Sequence, residues 1–156
     1  MIHAVLYVAF ILPFTAWLGF ELKRNYSLSE QKKWIVAAVF GGLIGGLLSL
    51  LNPYVFGNFL LHMSGGVSAT FLFVYLFKTL KLQFSWRLEL VLLFAFVCML
   101  GVLNELAEYF LELLGFGPLS HDTQDTWRDF VANTVGALLT WGIIQAWWYT
   151  TRQQKN

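Results

Sequence analysis

Trp34-Ile35-Val36-Ala37-Ala38-Val39-Phe40-Gly41-Gly42-Leu43-Ile44-Gly45-Gly46-Leu47-Leu48-Ser49-Leu50-Leu51 runs for 18 residues without a charge, between Lys32-Lys33 and Asn52-Pro53. Wound as a helix, about 20 such residues cross the hydrocarbon of a bilayer. Gly41, Gly42, Gly45 and Gly46 make two overlapping Gly-x-x-x-Gly pairs, where absent side chains let a second helix backbone approach closely. The stretch therefore reads as a transmembrane helix at the centre of a bundle. Its glycines form a seam within the chain, and a helix of a partner molecule is the alternative occupant.

Outward from this run the pattern repeats. Apolar segments at 2–20, 59–77, 88–110 and 130–149 are of similar length, and the connections between them are short and punctuated by Asn-Pro, Gly-Pro and charge. The expected fold is an all-α polytopic transmembrane helical bundle of five spans, one integral membrane domain over residues 1–156. Composition agrees, because 58% apolar and 12% charged residues leave too little polar surface to solvate a globule of 156 residues. A net charge of +1 gives no basic footprint for nucleic acid, so the partners expected are membrane lipids. The start Met1-Ile2-His3-Ala4 lacks a basic n-region, and no small-x-small cleavage site precedes Glu21, so 2–20 reads as a retained span. Cys98, the single cysteine, lies in an apolar run and reads as packing.

The few charges give the bundle a direction. Lys23, Arg24, Lys32 and Lys33 fall in the first connection and Lys78, Lys81 and Arg87 in the third, whereas the second has no Lys or Arg and the fourth is acidic apart from Arg128. By the positive-inside rule the N-terminus is outside and the C-terminus inside, in a cell inner (plasma) membrane. Trp17, Trp34, Trp86, Trp127, Trp141, Trp147 and Trp148 cluster toward span ends as interfacial anchors.

With that direction, polar residues collect near the extracytoplasmic face. His62 lies about one turn below the start of its span. Asn104, Glu105 and Glu108 lie far along the next one, and Glu105, Glu108 and Glu112 share a helix face at i, i+3 and i+7. The polar run from His121 to Asp129 leads into the last span; Thr126-x-x-Asp129 resembles a capping box, and Asn133 lies one turn deeper on the Asp129 face. His62, Glu105, Glu108, Asp129 and Asn133 are the candidate catalytic residues. His62, Glu105, Asp125 and Asp129 are the candidate ligands for a divalent metal ion, Zn, Mn or Mg, since imidazole and several carboxylates suit such an ion. His121 and Asp122 are expected nearby. Ser120-His121-Asp122 contains the letters of a triad, but consecutive residues rarely align nucleophile, base and orienter.

A His after the second connection, Asn104-Glu105-x-x-Glu108, and Asp125-Thr126-Trp127-Arg128-Asp129-Phe130-x-x-Asn133-x-x-Gly136-Ala137 together resemble the VanZ-like and YjdF-like small integral membrane proteins. The resemblance covers 61–139. It implies a small helical membrane protein with polar residues on successive spans, and a link to cell-envelope or lipid-linked chemistry. It supplies no substrate. The chain departs from the YjdF-like pattern where Leu61 precedes His62 and Arg128 precedes Asp129. Two readings follow: a membrane-embedded hydrolase or transferase acting on a lipid or lipid-linked envelope substrate, or a noncatalytic envelope or accessory protein whose polar cluster locks helices together.

Overall fold

The computed structural model describes residues 20, 31–52, 54–115 and 123–153. Among them are four long helices: α1 Lys32–Leu50, α2 Tyr54–Thr79, α3 Trp86–Leu113 and α4 Thr123–Gln153. All four are long and apolar enough to cross a membrane. The described residues thus hold four spans, not five; the expected span at 2–20 lies outside them. At ~1.5 Å per residue α2, α3 and α4 each reach roughly 40 Å or more, beyond the ~30 Å of bilayer hydrocarbon, so their ends extend into the headgroup zone.

The centre of the bundle is α2, which packs on α1 and α4 extensively and on α3 less so. This corrects the central position expected for the glycine-rich helix. Gly41 and Gly45 do form a close seam: a Cβ at Gly41 would meet Val67 and the Ser68 hydroxyl, and one at Gly45 would collide with the Ser64 side chain. Ser68 Oγ crosses the seam to donate to the Ala38 carbonyl at 2.8 Å. But Gly46 faces open space, and Phe40, Leu43, Ile44 and Leu47 are exposed. Small residues on one side make α1 a neighbour and not a hub.

α2 carries small residues on a second face as well. A Cβ on Gly66 would strike the Asn133 carbonyl of α4, and a Cβ on Gly136 would strike the Met63 carbonyl of α2. The two backbones touch here in the manner that absent side chains allow. Thr70 Oγ1 donates to Gly66 O on its own helix at 2.9 Å and approaches Ala137 O of α4 at 3.4 Å, satisfying a hydroxyl that hydrocarbon could not. Below this seam Phe73, Val74, Leu93, Val97, Trp141 and Ile144 form the apolar core. The exposed apolar side chains of α1 and α3, Leu43, Leu47, Phe94 and Phe110 among them, face where lipid would be.

The helix ends are specified locally. After α2 the Leu82 amide donates to Phe77 O at 3.0 Å and the Lys81 amide to Lys78 O at 3.3 Å, the paired bonds of a Schellman motif. Lys81 sits at φ 54° in the left-handed position that glycine usually fills. Ser85 caps α3, its hydroxyl oxygen accepting from the Leu88 amide.

Candidate functional site

Polar residues of three helices converge at the end of the bundle formed by the starts of α2 and α4 and the end of α3. His62 is eight residues past the start of α2, Asp129 six past the start of α4 and Glu105 eight before the end of α3, depths of roughly 9 to 12 Å along each helix. Matching depths are what permit contact.

His62 and Asp129 are both buried, with His62 Nε2 3.2 Å from Asp129 Oδ2. The other carboxylate oxygen of Asp129 accepts from Asn58 Nδ2 at 3.0 Å, and the same amide nitrogen lies 3.5 Å from Asp125 Oδ1. Asn58 and His62 are one turn apart on α2, as Asp125 and Asp129 are on α4, so two i, i+4 faces meet across the interface. One amide thereby spans two carboxylates, and Asp129 is held from both sides.

The third helix joins through α4. Thr126 Oγ1 donates to Glu105 Oε2 of α3 at 2.8 Å. Glu105 itself is half-buried, and Asn104 Nδ2 donates to Glu108 Oε1 at 2.9 Å, the i+4 partnership the spacing predicts. Glu108 therefore engages its own helix, while Glu105 reaches across.

The structure thus brings His62, Asp125 and Asp129 together through Asn58, and brings Glu105 to the same end through Thr126. Asn133 lies one turn deeper: its amide oxygen would stand 2.8 Å from a Cβ on Gly65, so that glycine leaves it room. His121 and Asp122 lie outside the described residues. The capping box expected at Thr126 and Asp129 is not formed, because α4 begins at Thr123. Both side chains are spent on other helices instead, Thr126 on Glu105 and Asp129 on Asn58 and His62. Sequence reading also missed Asn58, which lies just before the segment at 59–77; its signal was the i, i+4 spacing to His62. Among the described residues no three His, Cys, Asp or Glu side chains form a group placed to hold a metal ion.

Four apolar helices around a buried polar cluster define a multi-pass, all-α integral membrane protein. The chain belongs to the family described as Predicted membrane protein (DUF2238), whose model matches residues 1–151. No curated protein and no solved structure matches it.

Proposed function

We propose that the chain is a membrane-embedded enzyme, a hydrolase or transferase acting on the headgroup of a lipid or lipid-linked envelope substrate. The observation that carries this reading is the buried His62–Asp129 contact near one end of the bundle, where the reading places a lipid headgroup. An imidazole against an oriented carboxylate supplies a base and then an acid, the pair that hydrolysis or group transfer requires. Asn58 orients the carboxylate, and Glu105 and Asp125 are the further groups at the site. The resemblance to VanZ-like and YjdF-like proteins supports envelope chemistry. Charge bias in the connections supports an extracytoplasmic site and an inward C-terminus in an inner membrane.

A divalent ion, Zn, Mn or Mg, is part of the proposal. His62, Asp125, Asp129 and Glu105 are the candidate ligands. They are not gathered into a three-ligand group as they stand, so their side chains would have to close on the ion, which would then offset the charge of neighbouring carboxylates and polarise a substrate oxygen. The 3.2 Å between His62 Nε2 and Asp129 Oδ2 is compatible with two ligands each about 2.1 Å from one ion.

A second reading is favoured by the hydrogen bonds themselves: Asn58 to Asp129 and Thr126 to Glu105 link different helices and would serve a purely structural pin. One set of variants separates the two. Detergent-purified wild type is loaded with each ion, desalted and assayed for bound metal and for headgroup release from envelope lipids, beside Asp129→Asn and Glu105→Gln. The enzyme reading expects activity in wild type only, with variant stability unchanged or raised, since sites hold like charges at a stability cost. Loss of ~3 kcal/mol or more in both variants, with no product from wild type, supports the pin. Wild type that releases headgroups without stoichiometric metal removes the ion and leaves the acid–base pair.

A further inference from the structure

The opposite end of the bundle carries a second, unrelated arrangement. Lys33 of α1 lies over the rings of Trp34 and Trp147, 5.4 and 5.9 Å from their centroids, and Lys78 of α2 lies 4.3 Å from the centroid of Trp148. Trp34 in turn stands 6.4 Å from Trp147 and 6.3 Å from Trp148, so one cluster of indoles underlies both ammonium groups. Lys81 and Arg87 follow in the turn and at the start of α3. Next to this cluster a shallow, open groove runs between α2, α3 and α4, lined by Phe73, Phe77, Leu82, Trp141 and Trp148 with Lys78 and Glu89 among its walls.

The geometry points to a binding site for an anionic phospholipid at this end, with an acyl chain lying over the aromatic groove and the headgroup phosphate between Lys78 and Lys33. Three features carry it. The groove sets aromatic and aliphatic side chains beside the Lys78 ammonium, with Glu89 the one acidic group in its lining, matching a molecule that is itself apolar with an anionic tip. The ammonium groups rest on aromatic faces, which attract them without supplying a hydrogen-bond acceptor, so their N–H donors remain for a phosphate. Among the described residues of this end Lys33, Lys78, Lys81 and Arg87 outnumber Glu89, a positive excess that favours an anionic over a zwitterionic headgroup. Nothing in the assignment depends on the chemistry of the His62 end.

The test is lipid retention. Full-length protein is taken up from vesicles of equimolar phosphatidylglycerol and phosphatidylcholine with matched acyl chains, and the lipid kept on the protein is read by native mass spectrometry. Wild type is expected to retain phosphatidylglycerol over phosphatidylcholine by about fivefold or more, falling by about that factor with each of Lys33→Ala and Lys78→Ala. Lys78→Arg keeps the preference, and raised salt lowers it in wild type. Equal retention of the two lipids by wild type overturns the proposal without recourse to any variant. So does a preference that survives Lys33→Ala combined with Lys78→Gln.

Discussion

At one end of the α2–α4 seam an imidazole, carboxylates and amides from three helices meet inside the packing; at the other, Lys33 and Lys78 lie exposed against tryptophan faces at the rim. The difference follows from side-chain length. Lysine has a four-carbon stem that can lie along apolar surface while its charge stays wet. Aspartate has one methylene, so Asp129, six residues into its helix, is satisfied by whatever neighbouring helices deliver. The acidic end must therefore be assembled by tertiary contacts. The basic end needs only a surface to lie on.

The largest effect is expected where the two ends share their support. Gly66→Val and Gly136→Val each drive a side chain into a backbone carbonyl of the facing helix, which no rotamer change relieves. Each is expected to cost about 3 kcal/mol, read by thermal unfolding in detergent, and to disturb both ends together. Full stability in either variant would break the view that one seam carries both sites.

Next is Asn58→Ala, which removes the amide donor from a buried carboxylate. A loss of about 2 kcal/mol is expected, the scale for leaving a buried acceptor without its donor. Asp129→Leu introduced into that background should recover most of it, because the buried acceptor that needed the donor is gone. Failure to recover would show that Asn58 acts by packing alone.

Lys81→Gly has the opposite sign. Glycine holds a left-handed turn without Cβ strain, so the variant should gain about 1 kcal/mol while losing one positive charge from the basic end. Smallest is Trp148→Leu, which takes the ring from beneath Lys78 and should cost below about 1 kcal/mol in charge–ring attraction. Its loss should shrink as salt rises; a salt-independent loss would assign Trp148 to apolar packing.

Much of the framework was legible in the chain. Apolar runs of membrane-crossing length mark the four described helices, because a backbone in hydrocarbon must satisfy its own polar groups and a helix does so locally. The Asn104–Glu108 pair was legible for the same local reason, residues four apart being neighbours on one helix whatever surrounds it. The start of α4 was placed seven residues late, since Thr123 to Asp129 is polar and reads as a connection. It is helical with Thr126 and Asp129 bonded to α3 and α2.

The sequence by itself determined the solvent of this protein and the faces on which its polar residues fall, both being matters of composition and of the 3.6-residue period. Only the tertiary structure decided that α2 and not the glycine-rich α1 is the hub, and that Asn58 is the residue joining Asp125 to Asp129. Those facts depend on which helix stands beside which and at what register. A side chain's position along its own helix is fixed by local geometry, but its partner across an interface is fixed by where two backbones can touch. Here that is where Gly66 and Gly136 let them.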